Sequence, residues 1–346
     1  MSVKYIPVQW NRNKWLYDGV LIAAAGLYLW VFVTLVPPAL DHERAITGQI
    51  HNARAFGTCA FLMLTVILCI GPLARLDDRF LPLLYNRRHF GVLTCFVALT
   101  HLGFILDWYY AFSPTPKLEG LLTANTAFGQ VLGFPFEALG IFALIVLLVM
   151  AATSHDFWLK FLTPRLWKRL HWLIYPAYAA VVGHVALGAL QDQTHPALAI
   201  MTVGSAALVG WLHVAAAVKA RHEPRPEAWV PVCEARELRD GFARIVDLGG
   251  GERVAVFREG RLLSAISNAC AHQNGPLGEG RVVDGCVTCP WHGFQYRLHD
   301  GRSPEPFTEK VPTYNLRLDG LTVMVDRHAN PPGTAVPPVP LPEEIP

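Results

Sequence analysis

The stretch that decides the fold of one half of this chain runs from Cys270 to Phe294, CAHQNGPLGEGRVVDGCVTCPWHGF. It holds a Cys-x-His pair and a Cys-x-x-His pair with sixteen residues between them. Two short ligand pairs on two loops can close over one metal centre. Mixing two thiolates with two imidazoles narrows that centre to a zinc site or a two-iron cluster. Spacing separates the two. Zinc-finger pairs usually read Cys-x-x-Cys and His-x-x-x-His. Here each loop gives one Cys and one His, which suits a cluster whose two irons take different ligand types.

Outward from that stretch the chain reads as short strands. ARIVDL, RVAVFR, LLSAIS, VVDGCVTCP, FQYRL and LTVMV are separated by the turn signals GGGE, REGR, HDGR and LDG. An all-β sandwich of roughly a hundred residues is expected, over residues 229–326. Before it, KARHEPRPEAW is charged and broken by Pro224 and Pro226, so residues 219–228 read as a semi-rigid linker. After it, NPPGTAVPPVPLPEEIP cannot build a core, and residues 327–346 are expected to be a disordered Pro-rich tail. The glycines Gly249 to Gly251 sit in a hairpin with no helix after them and make no dinucleotide fingerprint. No internal repeat is read in the chain.

From about Trp229 to Val325 the chain resembles the Rieske family, with CAH, GPLGEG, CPWHGF, DGR and PTYNLRLDG in the family's order. The resemblance implies a [2Fe-2S] cluster in which Cys270 and Cys289 bind one iron and His272 and His292 the other. Gly275, Pro290 and Gly293 are then expected to shape the loops so that backbone N–H groups face the sulfides. Cys286 is expected in the core. The family's quinol-oxidising branch ties its two loops with a disulfide, whereas Gln273, Asn274 and Trp291 leave none here. That branch also has a Ser hydroxyl after the second-loop Gly; Phe294 takes the slot, and Tyr296 offers a phenol two residues on. A lost hydrogen bond to sulfur lowers the reduction potential, so a lower-potential, ferredoxin-like centre is expected. The family's ring-hydroxylating oxygenases need a further mononuclear-iron domain, for which about twenty residues after Val325 are too few.

The rest of the chain has a different character. The 346 residues are 52% apolar and 16% charged, too hydrophobic for an ordinary soluble protein. Apolar runs fall at about 17–40, 52–73, 90–112, 134–153, 171–190 and 197–218, each about long enough to cross some 30 Å of hydrocarbon at 1.5 Å per residue. Residues 1–218 are therefore expected to form an all-α six-helix transmembrane bundle. Fourteen Lys and Arg residues flank one side of these spans, and Arg44, Arg54 and Lys117 the other. That bias puts both termini on the cytoplasmic face of the inner membrane. The first run lacks a cleavage site and is expected to stay as a helix. A net charge of +2 without a basic block points to no nucleic-acid partner. Cys59, Cys69 and Cys95 lie in apolar runs and read as packing residues.

Ionisable residues inside spans are costly and mark function. His101 and His184, on different spans, both lie about 20 Å from the cytoplasmic edge at 1.5 Å per residue, and two imidazoles at one height can ligate a heme from both faces. His171 and His184 are thirteen residues apart, about 220° round an ideal helix, so they share no face unless Pro176 unwinds the span. As a partner for His171, His89 lies twelve residues before His101, off the same face, and His213 on the last span lies about 9 Å inside the membrane. The segments GPLARL, YNRRHFGVLTCFVALTHLGF and RLWKRLHWLIYPAYAAVVGH make residues 40–190 resemble the ferric-reductase-like transmembrane family. The resemblance implies that His101, His171 and His184 are ligands of one or two b-type hemes.

A cytoplasmic cluster tethered to membrane heme makes an electron-transfer component of an oxidoreductase. Electrons would come from a soluble cytoplasmic reductase or ferredoxin and go to an acceptor the sequence does not name. Two rival readings are a membrane-anchored Rieske sensor or interaction module without heme, and electron flow from quinol to the cluster.

Overall fold

The computed structural model describes residues 12–36, 47–84, 86–109, 114–123, 125–154, 158, 166–167, 169–191, 195–222, 228–249 and 251–342. Much of the expected linker, residues 223–227, lies outside them, as do 343–346 and the loop charges Lys4, Arg44, Lys160, Arg165, Lys168 and Arg225. The chain divides into two compact units, one of Arg12–Ala74 with Asn86–Val214 and the other containing all the strands.

The helical unit contains α1 (Arg12–Leu35), α2 (Gly48–Leu76), α3 (Arg87–Tyr109), the short α4 (Lys117–Thr123), α5 (Glu137–Ala152), α6 (Ile174–Leu187) and most of α7 (Ala197–His222). Among the described residues, five helical segments are long and apolar enough to cross a membrane: α1, α2, Arg87–Trp108 of α3, Arg169–Gln191 around α6, and α7. The sixth expected span appears as α5, only 16 residues long. At 1.5 Å per residue it covers about 24 Å, short of the roughly 30 Å of a hydrocarbon core. Among the described residues length alone therefore supports five spans, and the sixth expected crossing rests on this shorter apolar helix.

The helix α2 is central to this unit, burying Ala53, Ala55, Phe61, Leu64, Leu68 and Ile70. In contrast, α1 and α7 turn large apolar side chains outward, among them Leu27, Trp30, Ile200, Val203 and Trp211. An outward apolar surface of that kind is stable against lipid, not water. Buried threonine hydroxyls are satisfied along the helices, as at Thr94 and Thr202. Thr65 donates to the Phe61 carbonyl at 2.9 Å and meets the Tyr178 hydroxyl at 3.0 Å, as an apolar solvent requires. The segment before Pro176 is unwound to i→i−3 bonding, with Trp172, Leu173 and Tyr175 N–H groups bonded to Arg169, Leu170 and Trp172 carbonyls. Proline has no N–H to continue the helical ladder and crowds the preceding turn.

The second unit is all-β. Its strands are β1 (Trp229–Glu234), β2 (Ala243–Asp247), β3 (Arg253–Glu259), β4 (Leu262–Ser267), β5 (Arg281–Val283), β6 (Cys286–Thr288), β7 (Gln295–Arg297), β8 (Thr313–Tyr314), β9 (Leu316–Asp319), β10 (Thr322–Asp326) and β11 (Val339–Pro340). They form a sheet β1-β10-β9, a five-stranded sheet β11-β4-β3-β2 with β8 also on β4, and a small sheet β5-β6-β7. The run RVAVF in β3 is continuous rather than alternating because both faces are buried. Val254 and Val256 join one core with Leu263, Tyr314, Val323 and Val325, while Ala255 and Phe257 join a second with Leu277, Val287 and Tyr296. That second core lies under the small sheet, whose flanking loops carry the Cys and His pairs.

The Pro-rich tail corrects the sequence expectation. Residues 330–342 are not disordered: they run as a strap across the sandwich. Asn330 N–H donates to Thr313 O at 2.9 Å, Val336 N–H to His299 O at 2.8 Å and Leu341 N–H to Arg261 O at 2.8 Å. The strap ends in β11, antiparallel to β4, with Leu341 buried in the first core. Prolines cannot donate to a ladder, yet they suit an edge strand, and a single Leu in an otherwise core-poor segment is enough to anchor it when the rest of the core is supplied by other strands.

Candidate metal centres

The two ligand loops of the β unit are built alike. Cys270 N–H donates to Gly275 O at 2.9 Å and Asn274 N–H returns to Cys270 O at 2.7 Å; Cys289 N–H donates to Phe294 O at 2.7 Å and Gly293 N–H returns to Cys289 O at 2.9 Å. Each turn is closed by a left-handed residue, Asn274 at φ 60° and Gly293 at φ 73°, the conformation that Gly and Asn adopt at least cost. Such turns point backbone N–H groups at the sulfurs: those of His272 and Gln273 towards Cys270, and those of Trp291 and His292 towards Cys289.

The two thiols lie together and buried. Burial pushes the Cys270 thiol up, but hydrogen bonds from Cys289, Tyr296 and the two backbone N–H groups outweigh it and hold it below its ordinary value. The hydrogen bond to Cys270 and burial push Cys289 up, so the pair favours one negative charge over two. The Tyr296 hydroxyl lies 3.3 Å from Cys270 Sγ, and burial raises its own pKa, which keeps it protonated as a donor. A Cβ added at Gly275 would stand 2.7 Å from Cys289 Sγ; only glycine leaves room for that sulfur. Cys286 is buried in β6, apart from the ligand loops, as expected. All seven cysteines are free thiols.

The imidazoles of His272 and His292 are nearly buried, with ring centres 4.9 Å apart and planes at 84°. Their Nδ1 atoms are fully shielded from solvent. Phe294 stacks on His272 at 4.1 Å and 13°, so the residue in the usual Ser slot orients an imidazole instead of feeding a hydrogen bond to sulfur. A metal–imidazole bond is about 2.1 Å and the ring nitrogen lies about 1.1 Å from the ring centre, so two imidazoles on neighbouring tetrahedral positions have centres about 5 Å apart. The observed pair fits one iron. Among the described residues no three His, Cys, Asp or Glu side chains gather round a single ion-sized point; the donors stand as a sulfur pair and a nitrogen pair.

In the helical unit His101 on α3 and His184 on α6 face each other, with ring centres 6.4 Å apart and planes at 88°. Each is fixed through Nδ1–H, which His101 donates to Ala53 O at 2.7 Å and His184 to Phe136 O at 2.9 Å. A carbonyl only accepts, so both rings are held as the tautomer with the lone pair on Nε2. With the same bond lengths of about 2.1 Å and 1.1 Å, two imidazoles on opposite sides of one metal have centres about 6.4 Å apart. The observed separation fits trans ligation.

His171 is placed elsewhere. It stacks on Trp167 at 3.8 Å and 30°, donates Nδ1–H to Trp167 O at 3.0 Å, and has no ring contact with His101 or His184. The candidate partners are engaged too. His89 Nδ1 meets Asp18 Oδ2 at 2.7 Å, beside an Asn86 side-chain amide that donates to Asp18 Oδ1 at 2.6 Å. His213 bonds Val209 O on its own helix at 2.9 Å and the Tyr175 hydroxyl at 3.3 Å. The Asp18, Asn86 and His89 cluster escaped sequence reading because Asp18 lies sixty-eight residues from Asn86 and no local pattern links them.

Paired Cys-His loops on a β domain, joined in one chain to apolar helices with facing histidines, define a multi-pass membrane protein of the electron-transfer class. Family models agree on both halves: the Rieske [2Fe-2S] domain matches residues 228–315, and the ferric reductase like transmembrane component matches 56–182. The ferredoxin component of the alkene monooxygenase system of Xanthobacter autotrophicus is 30% identical over 109 residues, covering 30% of this chain and 88% of that protein. The protein-methionine-sulfoxide reductase heme-binding subunit MsrQ of Xanthomonas oryzae pv. oryzae is 32% identical over 220 residues, covering 62% of this chain and 94% of MsrQ. The cholesterol 7-desaturase nvd of Xenopus laevis is 34% identical over 93 residues, of which this chain spans only 20% of the length. The chain thus belongs to the Rieske family through its β domain and to the MsrQ-like ferric reductase family through its helices. A Rieske domain carries a [2Fe-2S] cluster, and paired thiols and paired imidazoles are the donor types such a cluster takes.

Proposed function

We propose that this protein carries single electrons across a membrane, with the Rieske cluster as one carrier and b-type heme as the other. Cys270 and Cys289 hold one iron of the cluster and His272 and His292 the second. His101 and His184 are the axial ligands of a heme between α3 and α6, and His171, with its Nε2 free of the Trp167 carbonyl, is the ligand offered to a second, inner heme. The protein lies in the inner membrane with both termini cytoplasmic and six crossings, α5 being the short one. Residues 1–218 form the membrane domain, whose last helix runs on to His222 and so into the expected 219–228 linker, and 229–326 the Rieske domain, to which the tail adds a strap. Electrons from a soluble cytoplasmic reductase or ferredoxin would enter at the cluster held by Cys270, His272, Cys289 and His292, and heme held by His101 and His184 would supply the one-electron couple towards an acceptor on the far side.

The observation that carries this reading is the His101–His184 pair, at a trans separation with both Nδ1 atoms tied to backbone carbonyls. Structural histidines in an anchor have no reason to present two Nε2 lone pairs to one point, which disfavours the sensor reading. Bound heme supplies a one-electron couple whose potential the axial imidazoles set; the chain's part is to hold those imidazoles and exclude water. MsrQ is named as a heme-binding subunit, which supports the same assignment.

The test is an optical and EPR spectrum of the purified full-length protein with a pyridine hemochrome assay, followed by His101→Ala and His184→Ala. Both variants are expected to lose heme while the cluster signal stays. Wild-type protein with a cluster but no heme would leave only the anchored module. Potentiometric titration of both centres fixes direction: a heme more reducing than the cluster would favour flow from quinol to the cluster.

A further inference from the structure

The two histidines facing each other in the helical unit are held by the same device built twice. His101 donates to a carbonyl on α2, and His184 to the carbonyl of Phe136, just before α5, each 48 residues earlier in the chain. In an α-helix a carbonyl accepts from the N–H four residues on, and the side chain there flanks its second lone pair. At both sites that residue is glycine: Gly57 follows Ala53 and Gly140 follows Phe136. The segments read Ala53-Arg54-Ala55-Phe56-Gly57 and Phe136-Glu137-Ala138-Leu139-Gly140. Gly140 N–H does bond Phe136 O, at 3.3 Å, so this carbonyl serves the helix and the imidazole together.

A Cβ at Gly57 would lie 2.9 Å from His101 Nδ1 and 3.0 Å from Cε1; at Gly140 it would lie 2.8 Å from His184 Nδ1 and 2.9 Å from Cε1. The same two ring atoms are struck at nearly the same distances. Neither glycine has a positive φ, so backbone freedom does not account for them. By contrast, Gly103 on α3, half a turn from His101, has nothing within 4 Å of its would-be Cβ. Resting on the reading of His101 and His184 as axial ligands, we propose that Gly57 and Gly140 are paired positioning residues of the heme site. Each leaves open the flank of the carbonyl one turn before it, so that the facing histidine donates Nδ1–H there and presents Nε2 to the metal. The α2–α3 and α5–α6 pairs are then two half-sites of one repeat, with an insignificant signature in the sequence beyond Ala-x-Gly and a distant His.

Gly57→Ala, Gly140→Ala and Gly103→Ala in the full-length protein test this. Heme per cluster is read from pyridine hemochrome against the EPR spin count of the Rieske signal, which also reports an intact β domain. Moving or untying a ligand imidazole through its outer partner typically costs roughly 10–100-fold in metal affinity. Gly57→Ala and Gly140→Ala are expected to lose heme per cluster on that scale, and any heme retained is expected to show a shifted largest g value, because that value follows the angle between the imidazole planes. Gly103→Ala is expected to match wild type. If both site variants also match wild type in heme content and g value, the inference is overturned. Where one variant does not accumulate, the other decides on the same two readouts. A heme-free wild type would instead sink the axial-ligand reading itself.

Discussion

The sharpest prediction concerns Tyr296. Its hydroxyl lies 3.3 Å from Cys270 Sγ, and in the loaded domain that sulfur is a thiolate able only to accept. The ring is fully buried in the core beneath the cluster loops, so Tyr296→Phe removes one oxygen and leaves the packing in place. A hydrogen bond to a charged group contributes about 1.5–3 kcal/mol. Only the part that differs between oxidised and reduced cluster moves the potential; taking about 1 kcal/mol for it, and 59 mV per tenfold for one electron, gives a fall of about 40 mV. Lowering is the expected sign, because the donor favours the more negative, reduced state. EPR-monitored redox titration of the variant against wild type measures it. An unchanged or raised potential, with the cluster intact, would refute the claim that this phenol tunes the centre.

Gly275→Ala puts a methyl 2.7 Å from Cys289 Sγ, and is expected to abolish cluster loading, read as iron and acid-labile sulfide per protein. Cutting the chain after Ala329 removes the strap; the burial of Leu341 alone contributes about 1.5–3 kcal/mol, so cluster bleaching in urea is expected at a lower midpoint. In Tyr314, burial pushes the hydroxyl's pKa up and keeps it protonated, and it donates to Glu252 at 2.5 Å. Tyr314→Phe is expected to cost about 1 kcal/mol in the same denaturation assay without altering the EPR spectrum. The perpendicular planes of His101 and His184, at 88°, predict a ferric heme signal with one unusually large g value; an ordinary rhombic signal of the parallel-plane type would contradict that geometry.

The Rieske loops were legible from residues alone because their chemistry is local. The four proposed ligands, the glycine-bearing turns and the phenol two residues past Phe294 all fall within a 27-residue stretch. The strands around them were legible too, since ARIVDL, RVAVFR and LLSAIS carry β-branched runs between turn residues. The strap was not, because its order comes from partners such as Thr313 and Arg261 on distant strands and its own composition says only that it cannot fold alone. The start of α5 was less legible for a related reason: the apolar run already includes Phe134, Pro135 and Phe136, which lie before the helix begins at Glu137.

What the sequence by itself determined was the inventory: a two-thiolate, two-imidazole cluster cap, apolar helices with histidines at matching depth, and no dinucleotide-binding fingerprint. Tertiary structure decided which nitrogens can share a metal. The same imidazole groups stand 4.9 Å apart at the cluster loops and 6.4 Å apart between α3 and α6, separations that suit neighbouring positions on one iron and opposite faces of another. No one-dimensional spacing encodes that angle, because it is set by where two helices or two loops cross and by the carbonyl each ring is tied to. Gly57 and Gly140 show the same division: in the sequence they are two glycines among twenty-eight, and only the approach of an imidazole to each gives their missing Cβ a meaning.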